Sequence, residues 1–139
     1  MYPLTLNTNE VKNAAGTEIE FQRLSSSGRQ LEFSVIAEAP ATPHRIKIAH
    51  SEIGTGLTAR RRSVLRVDKT IVGQIAGDKT AVVSAYAVVD APIGQLAALT
   101  EVTNVVAELV SQLASKGAST TILYDGTGYG SEALINGSL

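Results

Sequence analysis

"TAVVSAYAVVDAPIGQLAALTEVTNVVAELVSQLAS", residues 80–115, changes its periodicity once, at Pro92. Up to Asp90 the side chains alternate: Thr80, Val82, Ser84, Tyr86 and Val88 share one face, while Ala81, Val83, Ala85, Ala87 and Val89 share the other. Beyond the proline, Leu99, Val102, Val106, Leu109 and Leu113 recur at 3-4-3-4 spacing, which predicts an amphipathic helix over about 95–115. Val105 and Val110 widen its apolar surface beyond one stripe, so it has to meet two surfaces. Lys116 and Gly117 supply a C-terminal cation and a left-handed cap. The small residues on one face of the preceding strand suit the close approach of a helix.

Working back from Thr80, the chain reads as strands separated by turn signals. The stretch "RRRSVLRVDKTIV" (60–72) puts Arg60, Arg62, Val64, Arg66 and Asp68 on one face, with Leu65 and Val67 on the other. In "HRIKIAHS" (44–51), Arg45 and Lys47 oppose Ile46 and Ile48. The segments 2–7, 17–24 and 30–37 are earlier strands, and the last gathers Leu31, Phe33 and Val35 on one side. "SSSGR" (25–29), "APATP" (39–43) and "EIGTGLT" (52–58) separate them. Successive strands with short connections predict an antiparallel meander. Residues 118–126 are read as one further short helix and "TGYGSEALINGSL" (127–139) as loosely structured. The reading is one domain, 1–139: sheet to residue 92, helical region 93–124, tail 125–139.

Composition narrows the function. The 139 residues are 44% hydrophobic and 18% charged, enough for a core and too apolar for disorder. Without cysteine there are no disulfides, thiolate metal sites or thiol nucleophiles. The N-terminal residues show neither a basic start nor an apolar run, and 81–89 is too short to span a bilayer as a helix. A soluble intracellular domain is expected.

The formal net charge of −1 hides a segregation. Residues 45–79 carry eight Lys and Arg against three acids, and the rest of the chain four against ten. One sheet face thus gathers Arg45, Lys47, Arg62, Arg66, Ser84 and Tyr86. An ordinary solvated sheet face explains such a set without any ligand. A single-stranded RNA surface explains it too, since Arg and Lys hold phosphates and a tyrosine ring stacks an unpaired base. Other motifs fall away. "GTGLTA" (54–59) fits a dinucleotide fingerprint in letters but precedes a strand, and "DGTGYG" (125–130) lacks the Lys-Ser/Thr of a P-loop. His44 and His50 make no chelating pair, and no hydrolase motif occurs. Nothing points to an enzyme, a metal or a cofactor.

The run "RRSVLRVD", a loop, then "AVVSAYAVVDAP" leading into "LTEVTNVVAELVSQLAS" resembles the coat proteins of small single-stranded RNA bacteriophages, the levivirus-like group. The likeness extends from about Thr17 to Lys116. It implies an α+β fold: an N-terminal β-hairpin, a five-stranded antiparallel sheet, then one long and one short C-terminal helix. It also implies a homodimer, with sheets joined edge to edge and helices interlocked through Leu99, Val102, Val106, Leu109 and Leu113. Dimers would close into an icosahedral shell in the virion, assembled in the bacterial cytoplasm, with a maturation protein as a further partner.

By strand position, the resemblance makes Arg45, Lys47, Val64, Arg66, Ser84 and Tyr86 inward RNA-binding residues, and strand phase adds Arg62 to the same set. In such proteins this face also binds an RNA hairpin that represses replicase translation. Here Val64 replaces a polar residue and the aromatic is displaced by one inward-facing position, which favours general RNA binding over hairpin specificity. The loop Gly73, Gln74, Ile75, Ala76, Gly77, Asp78 and Lys79 corresponds to the connection around the symmetry axes. The competing reading is a dimeric α+β regulatory or ligand-binding module whose basic face takes acidic small molecules.

Overall fold

The computed structural model describes residues 2–117 and 121–138, which form two compact units. The first, residues 1–8 and 19–96, is a six-stranded antiparallel sheet in sequential order. Its strands are β1 (Thr5–Leu6), β2 (Phe21–Ser27), β3 (Gln30–Val35), β4 (His44–Ile53), β5 (Arg60–Val72) and β6 (Thr80–Ala91). The meander is as expected, but the N-terminal hairpin is not a separate element. The two-residue β1 pairs with β2 and joins the same sheet, with Leu6 opposite Phe21.

Local chemistry sets each connection. Ser27 pairs with Gln30, so β2 and β3 are joined by the two-residue turn Gly28–Arg29, and Gly28 takes the positive φ (56°) needed at its first position. A single 3₁₀ turn, Gly56–Thr58, links β4 to β5. The glycines of 54–59 therefore serve a hairpin, and no helix follows them. At the end of β6 the chain turns through Pro92, whose carbonyl accepts from the Gln95 amide. Gly94 packs so closely that a Cβ there would run into the Gly56 carbonyl oxygen. Gly94→Ala should therefore lower stability by about 1–3 kcal/mol, the usual cost of overpacking, read as a fall in thermal midpoint.

Core residues occupy one side of the sheet. Phe21 and Phe33 are fully buried, and Leu6, Ile46 and Ile48 nearly so. The register puts Phe33 beside Ile46, and Ile46 and Ile48 beside Val67 and Leu65. His44 meets Phe21 edge-on at 5.2 Å. Further along the same side burial fails: Leu65 is 42% exposed and Val83 59%.

The second unit, residues 9–18 and 97–139, contains α1 (Thr100–Ala114) and α2 (Tyr129–Asn136). The helix α1 begins five residues later than its periodicity predicts, because 92–99 are spent on the turn out of β6. Its C-cap is Ser115 in an extended conformation, and Gly117 takes its left-handed φ two residues further on. The expected helix at 118–126 is corrected. Residues 118–120 lie outside the described set, and Ile122 instead makes a β-bridge to Ser115. The short helix forms in the stretch read as a loose tail. Asp125 accepts from the Thr127 amide and hydroxyl, Gly128 is the N-cap and Gly137 the left-handed C-cap. Gly128 and Gly130 let α2 reach the end of α1, where the Ser131 hydroxyl donates to the Leu113 carbonyl at 2.6 Å.

Candidate nucleic-acid interface

The sheet side opposite the phenylalanines carries most of the charged residues of β3 to β6, in rows set by register. Arg45, Asp68 and Ser84 form one row across β4, β5 and β6, and Lys47, Arg66 and Tyr86 the next. Ala49, Val64 and Val88 follow, then Ser51, Arg62 and Asp90. All seven residues expected on this face lie on it. Tyr86 is 68% exposed on the outermost strand, so its ring is accessible for stacking.

The cations are not free, however. Arg45 bonds Glu32 and Glu38, both at 3.1 Å, and Lys47 lies 3.6 Å from Glu32. Arg66 donates to Asp68 at 2.8 Å, and the Ser84 hydroxyl donates to the same carboxylate. Sequence reasoning missed Glu32 and Glu38. The signal for Glu32 was present: it alternates against Leu31 and Phe33, which places it on the charged face, directly opposite Lys47. Within the arginine triplet, Arg60 pairs with Asp90 and Arg61 with Glu52, while Arg62 has no carboxylate partner among the described residues.

These pairs leave an electrostatic imprint. Hydrogen bonding to Arg45 holds the Glu38 carboxyl below its ordinary range. Asp68 is lowered first by the Ser84 hydroxyl and then by Arg66. Depressed carboxylate pKa values mean stability that is present at neutral pH and lost as pH falls through the folded-state values. Glu38→Gln should thus weaken the protein at neutral pH and flatten the acid limb of its urea midpoint against pH.

Two other predicted sets have a definite setting. On α1, Val102, Val106 and Leu113 are half-buried, while Leu99 and Leu109 are exposed along with Val105 and Val110. Between β5 and β6, the loop 73–79 is closed by the Gly73 amide donating to the Lys79 carbonyl, and its tip presents Ile75 fully to solvent. Among the described residues no three His, Asp or Glu side chains converge as metal ligands, and no helix is long and apolar enough to cross a membrane.

No protein-family model matches the sequence, and no curated protein does. Solved structures do. The bacteriophage EMS014 coat protein superposes with a TM-score of 0.72 over 100% of this chain and 97% of its own, at 13% identity. The virus-like particle of Beihai levi-like virus 32 gives 0.52 at 18% identity, over 70% of this chain and 74% of that one. The virus-like particle of bacteriophage AVE015 gives 0.54 at 10% identity, over 86% and 80%. The sheet and two C-terminal helices described above are thus the phage coat-protein fold.

Proposed function

We propose that this chain is a capsid protein of a single-stranded RNA bacteriophage, which dimerises, builds the virion shell and holds genomic RNA against its charged sheet face. The observation that carries the reading is the end-to-end match to a phage coat protein. Unfinished apolar surface supports it. The strand β6 is an edge of the sheet, twelve residues long, with no proline or lysine to blunt pairing. An edge of this kind is a template for the same strand of a second copy. The exposed Leu65 and Val83 side, and the exposed Leu99 and Leu109 on α1, are surfaces that interlocked helices would cover.

RNA would lie against Arg45, Lys47, Arg62, Val64, Arg66, Ser84 and Tyr86. Repression of replicase translation through a hairpin, and a maturation protein as a partner, belong to the same reading. The role is structural, with no reaction assigned. Expressed alone, the chain should sediment as megadalton particles; a species no larger than a dimer would favour a regulatory module instead. The loop Gly73–Lys79 would sit where subunits meet around symmetry axes. Lengthening it by three residues should leave dimers intact and block or resize shell closure, as seen by light scattering. Particles of unchanged size and stability would place the loop elsewhere.

A further inference from the structure

Asn136–Gly137 is the one Asn-Gly step in the chain; Asn7, Asn9, Asn13 and Asn104 are followed by Thr8, Glu10, Ala14 and Val105. It falls at the end of α2, where Asn136 is the last helical residue and Gly137 the left-handed C-cap, with φ 65° and ψ 29°. This helix is anchored at its start. Gly130 is buried against the Gln112 carbonyl, and the Ser131 hydroxyl donates to the Leu113 carbonyl. The last turn is open by contrast: Leu134 and Ile135 are 74% and 72% exposed, and Asn136 and Gly137 are exposed beside them. Backbone bonds close it, from the Gly137 and Ser138 amides to the one Ala133 carbonyl.

A glycine after asparagine leaves the following backbone nitrogen uncrowded, because no Cβ stands beside it. While the turn is closed, the Gly137 amide is committed to Ala133. An exposed terminal turn frays at little cost, and the nitrogen is then free to react. We propose that Asn136–Gly137 is a self-modification site, whose conversion to aspartate and isoaspartate releases the last turn of α2. The Gly137 nitrogen gives its proton to solvent base and bonds Asn136 Cγ; the Cγ–Nδ2 bond breaks, and ammonia leaves a cyclic imide. Water then opens the imide. Attack at Cγ restores the backbone with aspartate, and attack at the main-chain carbonyl leaves isoaspartate, with the chain running through Cγ. Nothing is oxidised or reduced. Both products oppose the helix. The new carboxylate sits at the negative end of the helix dipole, four residues from the like charge of Glu132. Isoaspartate also lengthens the backbone between Ala133 and the two amides that close the turn. The inference goes beyond the capsid reading and does not depend on it.

The test incubates the full chain, as purified, at mildly alkaline pH and body temperature. Peptide mapping by mass spectrometry and labelling with isoaspartyl methyltransferase follow the products. Asn136 should convert ahead of Asn7, Asn9, Asn13 and Asn104, with methyl label accumulating in the C-terminal peptide. Ser131→Ala, which removes an anchor of α2, should speed the conversion, and Asn136→Gln should abolish the label there. Asn136→Asp installs the first product directly. It should lower amide-exchange protection across α2 by about two- to tenfold, the scale of an unfavourable charge in a last turn. Conversion of Asn136 no faster than that of the other asparagines, or a rate unmoved by Ser131→Ala, would overturn the site. Unchanged protection of α2 in Asn136→Asp would overturn its effect on the helix.

Discussion

Val106→Asp should yield neither dimers nor particles. Val106 lies half-buried on the α1 seam, between exposed Leu99 and Leu109. If a second copy covers this seam, each Val or Leu contributes roughly 1.5–3 kcal/mol when fully buried, and the loss is felt twice per dimer. The carboxylate adds a desolvation cost that no nearby cation on α1 offsets, since the helix carries only Glu101 and Glu108 as charges. For an obligate dimer this removes folding as well as assembly. Leu109→Asp is the sharper variant. Leu109 is already 42% exposed, so a self-sufficient single chain would tolerate the change. Loss of particles from Leu109→Asp, seen by sedimentation velocity, is the expected result. A well-folded soluble monomer of Val106→Asp, or normal particles of Leu109→Asp, would refute interlocked helices.

The second large effect concerns RNA. Removing charge at Arg45, Lys47 and Arg66 together should weaken single-stranded RNA binding by orders of magnitude at low salt. Each phosphate contact contributes about 0.7 to the slope of log K against log salt for a single strand, so three lost contacts should flatten that slope by about 2. Dimers should persist, because all three side chains lie on the side away from Phe21 and Phe33. Tyr86→Ala should cost about 1–3 kcal/mol if a base stacks on the ring. Arg61→Ala is the control. Arg61 belongs to the other strand phase and is held by Glu52 at 2.8 Å, so its loss should matter little. Equal RNA loss from Arg61→Ala and Arg66→Ala would mean that sidedness is irrelevant and only total charge counts.

Strand phase was the most legible part of this chain. Period-2 alternation in 44–51, 60–72 and 80–90 places Ile46, Leu65 and Ala85 on one side and Lys47, Arg66 and Tyr86 on the other, and the register agrees. The boundaries of β5 matched residue for residue, since Arg60 and Val72 are flanked by glycine-bearing turns that cannot continue a strand. Helix ends were less legible. The apolar spacing runs through Leu99, but the turn that follows Pro92 consumes 92–99 and delays α1 to Thr100. The helix α2 was hidden because it is eight residues long and holds Gly130 inside a glycine-rich tail, where propensity argues against it. Its formation depends on packing against the end of α1, which is tertiary information. The ion pairs of the charged face were half legible. Asp68 shares a strand with Arg66, two residues away, and so could be seen on its face. Glu38 lies in the β3–β4 connection, and only the folded turn brings it to Arg45.

Cryo-electron microscopy of particles formed by the chain expressed alone decides whether this protein builds a shell with its charged sheet face inward. The expected result is closed shells in which β6 of one subunit lies antiparallel beside β6 of its partner, with Lys47, Arg66 and Tyr86 facing the lumen and nucleic-acid density against them. Shells with that face on the exterior, or a preparation holding only dimers with β6 unpaired, would contradict it.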